Sequence, residues 1–149
     1  MGADAGDAGR HVPRVSGVLE TSLYVDDLDR AQAFYQRLFG FETFLHDERM
    51  SALGVPGSQL LLLFKRGSTD EPAPAPGGAF IPPHHGRGAL HLAFAIPFGE
   101  LAAWEAHLAR ADVAVESRVG WARGGTSLYF RDPDGHSLEV ATPGLWANR

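Results

Sequence analysis

The chain of 149 residues has no cysteine, which excludes disulfides, thiolate metal sites, iron–sulfur clusters and thiol nucleophiles and leaves the redox compartment unread. Lysine is almost as scarce, Lys65 standing alone. The net charge is −5 at pH 7, so no broadly basic face is expected and nucleic acid is not a predicted partner. No apolar run approaches the ~18 residues of a membrane span. The start of the chain, residues 1–14, carries turn formers and no apolar stretch of the kind a secretory signal needs. No membrane partner is therefore expected, and the predicted location is the cytoplasm. The composition is 44% hydrophobic, enough to bury a core in one domain and too short a chain for two ordinary ones.

Periodicity divides the chain into two similar halves. Residues 18–25 alternate as a strand that Asp26-Asp27 ends, and Leu28, Ala31, Tyr35 and Leu38 then recur at helical spacing. Phe34 and Phe39 widen that stripe, and Gly40 supplies a stop. Residues 41–46, 49–53 and 59–65 read as three strands, giving a βαβββ module over 16–66. Residues 67–88 are broken by proline and glycine and read as a loop. The pattern then restarts: a strand over 89–96, a helix marked by Leu101, Trp104 and Leu108, and strands over 114–118, 126–130 and 136–142. This second βαβββ module spans 89–146. Residues 1–15 read as a disordered tail, and 16–149 as one α+β domain.

The hairpin near the end carries the strongest chemical signal. Asp132-Pro133-Asp134-Gly135 places proline where a type I turn wants its fixed φ and glycine where φ turns positive. In the strand that follows, Leu138 and Val140 take one face and Glu139 the other, among small residues with no lysine or arginine beside it. Such a carboxylate calls for a cation. A shift of 71 residues lays Glu20 on His91, Leu23 on Phe94 and Val25 on Ile96. If the halves face each other about a pseudo-two-fold, Glu20, His91 and Glu139 look into one cavity. The counterpart of Glu139 in the first half falls at Leu61 or Leu62, so the repeat supplies three ligands and lacks a fourth.

The run 18–40, the strand His91-Leu92-Ala93-Phe94 and the hairpin from Asp132 through His136 to Glu139 together resemble the vicinal oxygen chelate superfamily. That superfamily includes glyoxalases, bleomycin-resistance proteins, extradiol dioxygenases and fosfomycin-resistance enzymes. The resemblance implies two βαβββ modules forming an open, U-shaped, barrel-like sheet around a divalent metal. It implies Glu20 where the family's first strand usually has histidine, with His91 and Glu139 matching their positions. A leucine stands where glyoxalases carry a further glutamate. Within the family, Ser127-Leu128-Tyr129-Phe130 and the hairpin are closest to the fosfomycin-resistance enzymes, which implies that Ser22, Ser127 and Tyr129 face the substrate cavity.

One imidazole and two carboxylates suit Mn²⁺, Mg²⁺, Fe²⁺, Ni²⁺ or Zn²⁺. Three protein ligands leave positions for water and two substrate oxygens, as needed to polarise a carbonyl, enediolate or epoxide. Tyr129, His46 and Glu48 are the candidate acid–base groups, and Trp121, in a glycine-flanked loop, is a candidate wall of the substrate site. His84-His85 lie in the long loop that could close over it. The expected function is a metal-dependent lyase, isomerase or transferase acting on a small oxygen-rich metabolite or antibiotic. The alternative is a metal-free module that sequesters a drug, as in bleomycin resistance, and an Fe²⁺ extradiol dioxygenase stands third. A homodimer is expected because sheet edges need cover.

Overall fold

The computed structural model describes residues 11–148, so most of the predicted N-terminal tail lies outside the described residues. The first module comprises β1 (Glu20–Val25), α1 (Leu28–Phe39), β2 (Glu42–His46), β3 (Met50–Val55) and β4 (Gln59–Lys65). A two-residue ribbon, β5 (Ala73–Pro74) with β6 (Phe80–Ile81), interrupts the connecting loop. The second module comprises β7 (His91–Ala95), α2 (Leu101–Arg110), β8 (Ser117–Gly120), β9 (Thr126–Arg131) and β10 (Ser137–Ala141). The two main sheets repeat one topology, β1-β4-β3-β2 and β7-β10-β9-β8, each with a parallel first pair. Neither sheet closes, and β1 and β7 both lie at open edges. No helix among the described residues is long and apolar enough to cross a membrane.

Local chemistry accounts for the elements. The Asp27 carboxylate accepts from the Arg30 amide and caps α1, and Gly40 ends it in the left-handed region at φ 69°. Alternation sorts each strand into a back face and a front face. Leu23, Val25, Leu53, Leu61 and Leu63 from the first sheet share one core with Leu128, Phe130, Leu138 and Val140 from the second. The α1 stripe of Leu28, Ala31, Phe34, Tyr35 and Leu38 lies in the same core, and Phe39 reaches both Phe94 of β7 and Trp104 of α2. The modules therefore pack back to back through their helices. Both front faces point away from the shared core, where the sequence repeat had suggested modules facing one another.

The Asp132-Pro133-Asp134-Gly135 turn fastens the modules together. Asp132 is buried, and its Oδ1 accepts the amides of Asp134 and His136 while Oδ2 accepts the Tyr35 hydroxyl at 2.7 Å. His136 is fully buried: its Nδ1 accepts the Leu90 amide, which leaves Nε2–H to donate to the Tyr24 carbonyl at 2.7 Å. Asp134 accepts the Asp26 amide at 2.8 Å. The turn is thus a cross-module clamp as well as a reversal of chain direction.

Burial, followed by the Asp132 charge and hydrogen bond, pushes the Tyr35 phenol far above its ordinary range. An unfolded phenol ionises near pH ~10. Because the folded value is raised, the contribution to stability is complete below that pH and is lost as pH rises beyond it. Urea melts at pH 8 and pH 10.5 should show wild-type stability falling with alkalinity and Tyr35→Phe flattening part of that slope. At neutral pH the same substitution should cost about 1–2 kcal/mol, because it leaves Asp132 Oδ2 without its donor. A slope unchanged in Tyr35→Phe would contradict this account.

Candidate metal centre

The front face of the second sheet is built from alternate residues of its strands. Cross-strand register sets Ser137 beside His91, and Glu139 beside both Ala93 and Tyr129. Ala95 and Ser127 both align with Ala141. His91, Glu139, Tyr129 and Ser127 therefore share one surface floored by small side chains.

Glu139 is the pivot of that surface. Its side chain is only 5% exposed, and among the described residues it has no lysine or arginine ion pair. Oε2 accepts the Ser127 hydroxyl, whose oxygen in turn accepts Trp121 Nε1–H at 2.8 Å. Oε1 lies 3.3 Å from His91 Nε2, on a ring whose side chain is half exposed. His91 Nδ1 is 2.9 Å from the Ser137 carbonyl. A carbonyl only accepts, so Nδ1 carries a proton, and Nε2 is the nitrogen that faces a carboxylate oxygen. Two electron-rich atoms in that arrangement require a positive charge, either a proton on Nε2 or a cation bound by both.

The pair suits a cation sterically. Donors at right angles on an ion with bonds of ~2.1 Å stand about 3 Å apart. The carbonyl that orients His91 through its other nitrogen is the usual outer partner of a ligating imidazole. Nearby, the Tyr129 phenol is raised by partial desolvation and then by the Glu139 charge and hydrogen bond, so it holds its proton at neutral pH. The Tyr129 ring stacks on His91 with centroids 6.2 Å apart.

The remaining predicted site residues lie elsewhere. Glu20 and Ser22 occupy the front face of the first sheet, in line with Tyr24 and opposite Leu60 and Leu62. Among the described residues, no three His, Asp or Glu side chains gather closely enough to hold a metal ion. One chain thus brings His91 and Glu139 together and leaves Glu20 apart. His46 is tied to Ser51 and, through Nε2, to Asp29 Oδ1 at 2.8 Å, near the start of α1. Glu48 is exposed in the β2–β3 turn. Register also identifies the first-module counterpart of Glu139. Glu139 pairs with Ala93, two residues past His91, and Leu62 pairs with Ser22, two residues past Glu20.

Two features of the site escaped the sequence reading. Ser127 was expected to face a cavity, but its bond to Glu139 depends on cross-strand register, which alternation alone does not supply. The long loop is latched to the first sheet: His84 Nδ1 meets the Tyr24 hydroxyl, its amide donates to Thr69 O at 3.0 Å, and its ring lies against Phe64. The aromatic pattern on β1 and β4 was a signal for something seated there, without naming the histidine.

The family model for the glyoxalase/bleomycin resistance protein/dioxygenase superfamily matches residues 17–140. A metallothiol transferase, FosB, from Shouchella clausii is 28% identical over 130 residues, covering 86% of this chain and 81% of that protein. The crystal structure of a lactoylglutathione lyase from Agrobacterium tumefaciens is 35% identical with a TM-score of 0.81, covering 91% of this chain and 99% of that one. A fosfomycin resistance protein, FosX, from Listeria monocytogenes shares the fold at a TM-score of 0.65 and 22% identity, with 89% and 97% covered. With the family match running through both modules and ending on the strand of Glu139, the chain belongs to the glyoxalase/bleomycin resistance protein/dioxygenase superfamily.

Proposed function

We propose that this chain is a divalent-metal-dependent enzyme acting on a small oxygen-rich metabolite or antibiotic, as a lyase, isomerase or transferase. Its protein ligands are His91 and Glu139 of one copy and Glu20 of a second. The observation that carries the reading is Nε2 of His91 beside Oε1 of a buried carboxylate that has no lysine or arginine ion pair among the described residues. The named activities of the similar proteins, a metallothiol transferase and a lactoylglutathione lyase, support an enzyme. The back-to-back packing supports a second copy. With both front faces turned outward and β1 and β7 at open edges, a partner's first sheet can be set opposite this chain's second sheet.

A bound divalent ion would supply Lewis acidity to a substrate oxygen. The chain supplies the rest. Ala93, Ala95 and Ala141 leave room beside the donors, Trp121 offers aromatic contact and Ser22 of the second copy polar contact, and the protonated Tyr129 phenol is positioned to donate to a developing oxyanion. His46, engaged with Asp29 and Ser51, and exposed Glu48 have no part in this reading.

Metal analysis of protein purified without chelator should find a first-row divalent ion or Mg²⁺ near one per chain. Subunit origin is tested by mixing inactive Glu20→Ala and Glu139→Ala proteins under exchange conditions. A site built across two copies is restored in half the positions of each mixed dimer, returning about a quarter of wild-type metal binding. A site within one chain returns none. A metal-free drug-binding module is the second reading, favoured by an apolar cavity of about 940 Å³ that includes Phe41, Phe94, Trp104 and Trp146. Absence of stoichiometric metal, with ligand affinity intact in Glu139→Ala, would select it.

A further inference from the structure

The carboxylate of Glu139 is oriented by a chain of two hydrogen bonds that begins in the β8–β9 loop. Ser127 is fully buried, with one hydroxyl proton and two oxygen lone pairs. The indole N–H of Trp121 only donates, and at 2.8 Å it occupies one of those lone pairs. The Ser127 proton is thereby directed at its other neighbour, Oε2 of Glu139. With Oε2 occupied, Oε1 is the oxygen left facing His91 Nε2. Donors in series also polarise one another, so the indole strengthens the hydroxyl as a donor.

The loop holds the indole in place. Trp121 N donates to Gly125 O at 2.8 Å, Gly124 N donates back to Trp121 O at 2.9 Å, and Thr126 N donates to Thr142 Oγ1 at 2.8 Å. Gly125 presses so closely on the 143–145 segment that a Cβ there would lie 2.8 Å from Leu145 Cδ1 and 2.9 Å from the Pro143 carbonyl. Trp121 is 40% exposed while its indole nitrogen is engaged inward, a combination that packing alone does not require.

We infer that Trp121 is a positioning residue for the metal-ligating carboxylate, acting through the Ser127 hydroxyl. The inference rests on the metal reading given above. It is tested by Mn²⁺ titration calorimetry on wild type, Trp121→Phe, Ser127→Ala and the double variant. Trp121→Phe keeps the ring and removes the donor, and it should weaken Mn²⁺ binding about 5–10-fold, with Ser127→Ala weaker still at about 10–100-fold. Because one residue acts through the other, the double variant should match Ser127→Ala alone.

A second measurement is independent of how Trp121→Phe folds. Among the indole N–H resonances of the three tryptophans, the one displaced by Ser127→Ala should be the one that Zn²⁺ displaces in wild type. Wild-type affinity in Trp121→Phe, multiplicative losses in the double variant, or a Zn²⁺ response on a different indole would each overturn the inference. Wild-type protein that binds neither ion overturns the metal reading itself, a result distinguishable from the others because it requires no variant.

Discussion

Glu139→Gln is expected to remove metal binding while leaving the metal-free protein at least as stable as wild type. A buried carboxylate without a lysine or arginine partner carries a desolvation cost that a positive charge, on a bound cation or on the His91 ring, must offset. The amide is nearly the same size, and its two ends fit the groups already present. Its carbonyl can accept the Ser127 hydroxyl where Oε2 does, and beside a neutral side chain the His91 ring can leave Nε2 unprotonated to accept from the new NH₂ where Oε1 now meets it. A contact that needs a positive charge becomes a neutral hydrogen bond, worth about 1 kcal/mol, or a rise of ~2–4 °C in the melting temperature of a domain this size.

Metal affinity should fall in the same variant by about 100-fold or more, since a charged oxygen donor is replaced by a neutral nitrogen. Opposite movement of the two quantities is the signature of a residue retained for binding at the expense of stability. Calorimetric Mn²⁺ titration and thermal melts in chelator measure both. A Glu139→Gln protein that melts several degrees lower, or that retains wild-type Mn²⁺ affinity, would make Glu139 a structural core group instead.

The legibility of this site in the sequence follows from the range of the interactions involved. Both long helices are set by local signals: the Asp27 cap, the Leu28–Leu38 stripe and Gly40 fix α1, and the Leu101–Leu108 spacing marks α2. β4, a continuous apolar run between Gln59 and Lys65, and β9 lie close to their expected places. β8 does not, because Val113 N still donates to Leu108 O at the end of α2 and the chain first meets β9 where Glu116 N donates to Tyr129 O, so ladder pairing begins at Ser117. The internal repeat correctly aligns Glu20 with His91 as equivalent strand positions, yet equivalence is not proximity. Whether two like modules turn their front or back faces to each other is decided by the aromatic contacts of Phe39 with Phe94 and Trp104 and by the Asp132 clamp, all long-range.

The clamp is where the largest stability effect should lie. Asp132→Ala would strip the acceptor from the Tyr35 hydroxyl and from the amides of Asp134 and His136 in one step. Three buried or partly buried donors left unpaired should cost about 3–5 kcal/mol, at the high end for a single substitution. Asp132→Asn keeps an oxygen in the Oδ1 position for both amides, and the Tyr35 hydroxyl can turn to accept from the new NH₂, so the cost should fall to about 1 kcal/mol. Urea melts of the two variants separate these cases.

The functional consequence follows from chain connectivity, since β10 begins immediately after this turn and Glu139 is its third residue. Loosening the turn should let the parallel pairing of β10 with β7 slip or fray, and that pairing is what sets Glu139 near His91. Asp132→Ala is therefore expected to weaken Mn²⁺ binding together with stability, while Asp132→Asn leaves affinity near wild type. If Asp132→Ala folds with wild-type stability, the clamp is not what joins the modules. If it is destabilised but binds Mn²⁺ as wild type does, the His91–Glu139 pair is held by its own sheet rather than by the turn.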